Sequence, residues 1–171
     1  MSLLPLAMIA AMTPRRAIGR AGALPWHVPE DLKQFREKTT GHAVIIGRKT
    51  FDTMGKALPK RRNIVVSRKP VELPPGVERC ASVEEAIALA RTSDPCPFVL
   101  GGGEIYVLAM PLATDLYLTL IEGPDDTGAD AFFPPIDESA FEVVTRAAGA
   151  TPGVTFLHYR RRTGAPASPA F

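Results

Sequence analysis

The pattern that decides the fold is Ala43-Val44-Ile45-Ile46-Gly47-Arg48-Lys49-Thr50, in which a short apolar run ends at a glycine followed by two cations. Consecutive apolar residues predict a strand that is buried on both faces, and Gly47 permits a tight turn into a helix. Similar apolar runs alternate with helical patterns along most of the chain. Because such strands are typical of parallel sheets covered by helices, the sequence predicts an α/β fold with a mostly parallel, twisted central sheet.

We expect about eight strands, with an antiparallel strand at the C-terminus, and about four flanking helices in a single domain. The predicted strands are residues 6–12, 43–47, 63–67, 77–80, 98–100, 115–122, 141–147 and 155–161, the last two forming a hairpin across residues 149–153. The predicted helices are residues 29–39, 49–54, 83–91 and 103–110, the third with the capping signature Ser82-Val83-Glu84-Glu85. The domain is expected to span residues 1–162, and the small, Pro-rich residues 163–171 to form a loose tail.

Composition excludes several classes of function. A net charge of +2 over 171 residues does not predict a nucleic-acid or membrane-surface partner. Cys80 and Cys96 belong to no pairing motif, which is typical of a reducing compartment, and three widely spaced histidines do not form a zinc-binding pattern. The apolar residues 1–12 lack a preceding basic region and are too short to span a bilayer, so we interpret them as a buried first strand of a cytoplasmic protein.

The helix predicted over residues 29–39 carries a carboxylate on its apolar face. Asp31 stands at i+3 of a series whose apolar members at i, i+4 and i+7 are expected to be buried: Val28, Leu32 and Phe35. Glu30 is expected to face solvent and to complement the helix dipole. A carboxylate that faces a core is costly unless it is paired. Asp31 is therefore either an acid that caps free amides or an acid kept in a dry cleft for chemistry.

Two predicted strands end in cationic segments, and ligands of parallel sheets bind at the carboxyl ends of strands. Gly47-Arg48-Lys49-Thr50 opens a helix whose free amides favour an anion. Ser67-Arg68-Lys69-Pro70 follows the next strand along the chain. One such segment is typical of a solvated surface, but two at successive strand ends predict a shared phosphate site.

Two further loops favour a ligand without defining it. The three glycines of Gly101-Gly102-Gly103-Glu104-Ile105-Tyr106 let the backbone approach a pyrophosphate closely. The dinucleotide-binding fingerprint would need glycine where Tyr106 stands, so that motif is excluded. In residues 55–63, Leu58 between Lys56 and Arg61 suits either a rim that packs on an aromatic group and binds a carboxylate, or a plain basic surface loop.

Together these segments resemble the dihydrofolate reductase family from about Leu6 to Arg161. The resemblance rests on the order and spacing of Ile9-Ala10-Ala11, Ile18-Gly19, Leu24-Pro25-Trp26-His27-Val28-Pro29-Glu30-Asp31-Leu32, Gly47-Arg48-Lys49-Thr50, Leu58-Pro59-Lys60-Arg61, Gly101-Gly102-Gly103-Glu104-Ile105-Tyr106, Leu118-Thr119 and Phe133-Pro134. Aspartate at position 31, where animal members usually have glutamate, resembles the bacterial type. The resemblance implies reduction of 7,8-dihydrofolate to 5,6,7,8-tetrahydrofolate by hydride from NADPH, in one-carbon metabolism, by an antifolate target.

The resemblance also implies the catalytic residues. Asp31 would bind the pterin and favour protonation of its N5, with Thr119 beneath it. Trp26 would wall the cleft and order a water. Leu24 would lie on a mobile loop that closes over the nicotinamide and excludes solvent.

The implied substrate-binding residues are Ile9, Asp31, Phe35, Met54, Lys56, Leu58, Arg61, Leu100, Tyr106 and Thr119. Arg61 would take the α-carboxylate of the glutamate tail. The implied cofactor-binding residues are Ala11, Ile18, Gly19, Gly47, Arg48, Lys49, Thr50, Ser67, Arg68, Lys69, Gly101, Gly102, Gly103, Glu104, Ile105 and Tyr106. The cations among them favour NADPH over NADH, and the family has a cis peptide between Gly101 and Gly102. Dihydrofolate and NADPH are the expected partners of a monomer, without metal, nucleic acid or membrane.

The chain departs from the family pattern in several loops. Ala57 and Lys60 stand where proline and glycine are common, in the loop that would bind the substrate tail. Thr13-Pro14-Arg15-Arg16 is a basic entry to the mobile loop, and Asp130 of the acidic residues 125–130 is expected to support that loop. Two alternatives stay open: an NADPH-dependent pyrimidine reductase of riboflavin synthesis, whose substrate has no glutamate tail, and a non-catalytic nucleotide-binding module, which would not need a buried Asp31.

Overall fold

A computed structural model of the chain describes residues 3–19, 28–123 and 126–163. Its strands are β1 (Ala7–Met12), β2 (Ala17–Gly19), β3 (Ala43–Gly47), β4 (Arg62–Val66), β5 (Glu78–Cys80), β6 (Phe98–Gly101), β7 (Asp115–Ile121), β8 (Ala131–Phe132), β9 (Phe141–Ala148) and β10 (Val154–Arg161). Its helices are α1 (Pro29–Thr39), α2 (Arg48–Met54), α3 (Val83–Ala90) and α4 (Gly103–Ala109), followed by a 3₁₀ turn at Met110–Leu112. The tail predicted over residues 163–171 lies almost wholly outside the described residues and stays a prediction.

Eight of these strands form one sheet in the order β5-β4-β3-β6-β1-β7-β10-β9. All neighbours from β5 to β7 run parallel, whereas β10 is antiparallel to both β7 and β9. The predicted fold class, a mostly parallel sheet with an antiparallel C-terminal strand and four helices, is confirmed. Each predicted element agrees with the structure to within one residue at either end.

A second, two-stranded sheet was not predicted. It pairs β2 with β8, with Ala17 opposite Phe132 and Gly19 opposite Ala131. Strands of three and two residues are too short to show an alternating pattern, so their pairing depends on tertiary contacts that sequence periodicity does not report.

The main sheet separates two apolar cores, as strands buried on both faces require. Val44 and Ile46 pack with Ile9 and Phe98 on one face, while Ile45 enters the larger core on the other. Buried residues of α3 and α4 cover the larger core, and α2 covers the smaller one. The predicted cap of α3 is confirmed, because the Ser82 hydroxyl accepts the Glu85 amide at 3.1 Å.

The prediction that α1 buries its apolar face was wrong. Leu32 is 46% exposed, and Val28 and Phe35 are only half-buried. The reason is that this face borders an open cleft instead of the core. Glu30 lies on the solvent side of α1, as expected, but its carboxylate also accepts hydrogen bonds from the turn between β9 and β10, which the sequence did not predict.

The described residues also bear on the predictions about membrane spans, cysteines and metal sites. Over those ranges no helix is long and apolar enough to cross a bilayer. Cys80 and Cys96 are free thiols. No cluster of three or more His, Cys, Asp or Glu side chains in the described part of the chain could hold a metal ion.

Candidate functional site

A cleft of about 380 Å³ opens between α1 and the loop that follows α2. Its walls are apolar with two cations, namely Pro29, Leu32, Phe35, Arg36, Leu58 and Arg61. The apolar face of α1 therefore forms one wall, which explains why these side chains are exposed. A cleft with aliphatic and aromatic walls and a few charged groups is typical of a small-molecule site.

Asp31 reaches from the first turn of α1 to the central sheet. The Thr119 hydroxyl donates to its Oδ1 at 2.6 Å. Thr119 is 3% exposed and lies on β7, between Ala11 of β1 and Phe156 of β10. The α1 N-cap is Val28, which makes no side-chain capping bond. Because the hydrogen bond of Asp31 crosses to β7, and because Asp31 stands between the cleft residues Pro29 and Leu32 in the chain, the geometry favours an acid held beside the cleft over a helix cap.

Burial raises the pKa of Asp31 above its ordinary value. The hydrogen bond from Thr119 lowers that pKa, and the charge of Glu30 raises it. The acid is thus partly desolvated while one oxygen is held in place. Such an environment is common at sites where a carboxyl group takes part in chemistry.

Tyr106 lies directly under the end of β6. Its hydroxyl is 2.6 Å from the carbonyl oxygen of Ile9 and 2.8 Å from that of Leu100. Burial, and then the charge of Asp31, raise the pKa of this phenol, so it stays a hydrogen-bond donor. Gly101 has a φ of +104°, and a Cβ there would come within 2.8 Å of the Tyr106 ring, so the position requires glycine. The cis peptide implied by the resemblance is present between Gly101 and Gly102.

The two cationic segments begin at neighbouring strand ends, since Gly47 of β3 is paired with Val66 of β4. Arg48 forms an ion pair with Asp52 at 3.6 Å, and Arg68 forms one with Glu104 at 3.0 Å. All four side chains are exposed, and exposed ion pairs contribute little to stability. These arginines can therefore exchange their carboxylate partners for a more strongly charged anion at small cost.

Sequence reasoning missed the side chain that shapes the second cationic segment. Arg79 of β5 donates through Nε to the carbonyls of Ser67 and Lys69 at 3.1 and 3.0 Å, and through Nη2 to that of Arg68 at 3.0 Å. The Ser67 hydroxyl donates to the Lys69 carbonyl at 2.7 Å. No local pattern marks an arginine in a three-residue strand for this task.

Arg61 is held at the outer end of the cleft. It donates through Nη1 to the Thr39 hydroxyl at 3.0 Å and through Nε to the Pro59 carbonyl at 2.9 Å, and it lies over the Phe35 ring. Burial, and then the charge of Arg36, lower the pKa of Arg61. Sequence reasoning missed Arg36, although its i+4 spacing from Leu32 places it on the face of α1 that lines the cleft.

The structure places the remaining predicted residues in three environments. Buried in the cores are Ile9, Ala11, Ile105 and Tyr106. Half-buried are Ile18, Phe35, Thr50, Met54, Leu58, Leu100, Gly102 and Gly103. Exposed are Arg48, Lys49, Lys56, Arg68, Lys69 and Glu104. Gly19 ends β2, and the residues predicted on the mobile loop, Leu24 and Trp26, lie outside the described residues.

The acidic loop of residues 125–130 was expected to support the mobile loop, and it contacts the entry to that loop, residues 13–16, through Asp126. Its carboxylate accepts from the Thr13 hydroxyl at 2.5 Å and from Arg15 Nη1 at 3.1 Å. The predicted role of Asp130 stays a prediction. Lys60, where the family usually has glycine, has a φ of +60°, the left-handed conformation that glycine adopts readily.

Known proteins are similar to this chain along nearly its whole length. The family model "Dihydrofolate reductase" matches residues 5–161. A dihydrofolate reductase of Neisseria meningitidis is 40% identical over 164 residues, covering 93% of this chain and 99% of that protein. One from Bacillus subtilis is 38% identical over 144 residues, with 84% of each chain covered. The structure of the Enterococcus faecalis dihydrofolate reductase complexed with NADP(H) and RAB-propyl has a TM-score of 0.85 and 35% identity, covering 92% of this chain and 96% of that one.

The fold is that of an α/β protein with a mostly parallel sheet, a class whose ligands commonly bind beyond the carboxyl ends of the strands. The chain belongs to the dihydrofolate reductase family. The resemblance read from the sequence is thereby confirmed.

Replacing Thr119 with valine is expected to raise the pKa of Asp31 further, because the hydroxyl hydrogen bond that favours the carboxylate is lost. Carbon-13 NMR titration of the Asp31 carboxyl measures this directly. Thr145→Val on the exposed strand β9 is the matched control, for which we expect the wild-type pKa. An unchanged or lower pKa in Thr119→Val contradicts the assignment of this bond.

Proposed function

We infer that the protein reduces 7,8-dihydrofolate to 5,6,7,8-tetrahydrofolate with NADPH. Membership of the dihydrofolate reductase family supports the reaction and the cofactor. The observation that carries the inference is the Asp31 carboxylate, partly desolvated and held by Thr119 beside a cleft with apolar walls.

In this proposal Asp31 anchors the pterin. A carboxylate can accept two parallel hydrogen bonds, and the 2-amino group and N3 of a pterin present two adjacent N–H groups. Thr119 holds Oδ1, which fixes the position of one carboxylate oxygen. The negative charge favours a proton on N5, delivered by water, and this protonation makes C6 electrophilic.

NADPH supplies the hydride that reduces C6, while the protein supplies position, charge and exclusion of water. The residues at the carboxyl ends of β3, β4 and β6 fit this nucleotide. A Cβ on Gly102 would come within 2.9 Å of the Thr50 hydroxyl, so glycine lets this backbone pack closely against α2. The 2′-phosphate side would be held by Arg48, Lys49, Thr50, Ser67, Arg68 and Lys69.

The cleft fits the rest of the substrate. Phe35 and Leu58 offer apolar surface to the aminobenzoyl ring, and Arg61 offers its guanidinium to the glutamate α-carboxylate. Arg36, in the same cleft, is a second cation for the tail. Further substrate contacts are proposed for Ile9, Met54, Lys56, Leu100 and Tyr106, and nicotinamide contacts for Ala11, Ile18 and Gly19. Leu24 and Trp26 are proposed to close and wall the site.

We also propose that the protein is a cytoplasmic monomer whose partners are small molecules. The two free cysteines are typical of a reducing compartment, which supports the cytoplasm. A net charge of +2 supports small-molecule partners without nucleic acid or membrane. Resemblance to bacterial members of the family supports a monomer.

Asp31→Asn is expected to lower kcat for dihydrofolate about 100-fold or more at neutral pH, because the charge that favours the proton on N5 is removed. Steady-state assays of NADPH oxidation with dihydrofolate measure this, with NADPH affinity expected to stay within about twofold. If Asp31→Asn turned over at the wild-type rate, Asp31 would have a structural role only. Absence of dihydrofolate turnover in the wild-type protein would favour the riboflavin-pathway reductase or the non-catalytic module.

Arg48→Ala and Arg68→Ala are each expected to lower the NADPH-to-NADH ratio of kcat/KM about tenfold, since each removes a charged partner of the 2′-phosphate. The ratio isolates that phosphate because the two cofactors differ nowhere else. Arg146→Ala on the exposed strand β9 is the control and should keep the wild-type ratio. An unchanged ratio in both site variants places the phosphate elsewhere.

A further inference from the structure

Glu30, the residue before Asp31, joins α1 to a distant part of the chain. Its Oε2 accepts the amide of Ala150 at 2.9 Å, and its Oε1 accepts the amide of Thr151 at 2.9 Å. Both amides belong to the turn between β9 and β10. This bidentate arrangement, with one carboxylate oxygen on each of two consecutive amides, fixes the direction of the Glu30 side chain as well as its position.

The turn is shaped to receive this carboxylate. A Cβ on Gly149 would collide with Glu30 Oε1, so glycine leaves the space that the carboxylate occupies. The Gly149 amide donates to the Val154 carbonyl at 2.8 Å, and the Glu122 amide donates to the Gly153 carbonyl at 2.8 Å. The turn is therefore closed on itself and tied to the end of β7. The two backbone hydrogen bonds lower the pKa of Glu30, so it is an anion at neutral pH.

The first turn of α1 is thus held on two sides. Asp31 is bound to Thr119 of β7, and Glu30 is bound to the β9–β10 turn. The helix start has no side-chain cap at Val28 that would hold it instead. Because adjacent residues of a helix point in different directions, two anchors on neighbouring residues fix both the rotation and the position of the first turn.

We propose that Glu30 is a positioning residue for dihydrofolate reduction: its carboxylate, bound by the 150–151 amides, sets the orientation of Asp31 toward the pterin. The proposal rests on the proposed function of Asp31 and adds the β9–β10 turn to the parts of the fold that determine activity. Glu30 also acts through charge. It raises the pKa of Asp31, which the Thr119 hydroxyl lowers, and the charge of Asp31 in turn raises the pKa of the Tyr106 phenol.

Three variants test the proposal. Glu30→Ala removes both hydrogen bonds. Glu30→Gln keeps one acceptor oxygen and removes the charge. Gly149→Ala keeps the charge and displaces the carboxylate, and its Cβ would also come within 2.9 Å of Val154 Cγ1 in the turn itself. Glu37→Gln, exposed on the same helix, is the matched control for loss of one negative charge. For each variant kcat and KM for dihydrofolate, their pH dependence, the dissociation constant of NADPH and the melting temperature are measured.

We expect Glu30→Ala and Gly149→Ala to lower kcat/KM for dihydrofolate about tenfold, because small displacements of a reacting group have large effects on rate. NADPH affinity should stay within about twofold. In Glu30→Gln and Glu30→Ala the acidic limb of the pH profile, where Asp31 becomes protonated and activity is lost, should move to lower pH. The reason is that the charge that raises the pKa of Asp31 is gone. Glu37→Gln should match the wild type in all of these measurements.

A purely structural anchor would give a different result. The proposal is overturned if Glu30→Ala and Gly149→Ala lower the melting temperature but keep wild-type kcat/KM well below it, and if the pH dependence of Glu30→Gln and Glu30→Ala stays at the wild-type position. Failure of the proposed function is distinguishable, because it would leave the wild-type protein itself without dihydrofolate turnover.

Discussion

The hydrogen bond from Thr119 to Asp31 is the interaction on which the site depends. It connects the first turn of α1 to β7, near the middle of the eight-stranded sheet. Placing a carboxylate in a partly dry cleft costs free energy, and one strong hydrogen bond offsets only part of that cost. The sheet therefore supplies a rigid donor, the Thr119 hydroxyl on β7. The parallel strands β3, β4 and β6 of the same sheet bring the cationic and glycine-rich loops to one edge, at their carboxyl ends.

At Asp31 the needs of activity and of stability oppose each other, because the charged form that the proposed reaction requires is the form that the fold stabilises less well. The pKa of Asp31 in the folded protein lies above its ordinary value. Its contribution to stability is therefore most favourable at low pH and is lost as the pH rises through the folded pKa. Above that pKa the fold retains a carboxylate that it stabilises less well than water would. Active sites commonly carry such local costs, which the rest of the fold must offset.

Much of this molecule is predictable from sequence for a physical reason. The apolar runs of β3 and β6 are buried on both faces, so local composition determines where they begin and end. Helical periodicity identified Asp31 as an unusual carboxylate, and the resemblance added its role, its partner Thr119 and the cis peptide, which local patterns do not define. Contacts such as Arg79 with the loop after β4, or Glu30 with the β9–β10 turn, join residues far apart in sequence. Neither composition nor periodicity reports them, and Leu32 shows that an apolar face can line a cleft instead of a core.

The central claim is that Asp31 anchors the pterin ring. A crystal structure of the ternary complex with folate and NADP⁺ tests it most directly. We expect both Asp31 oxygens within hydrogen-bond distance of the pterin 2-amino group and N3, with the Thr119 bond retained. A pterin bound in the cleft without contact to Asp31 would contradict it.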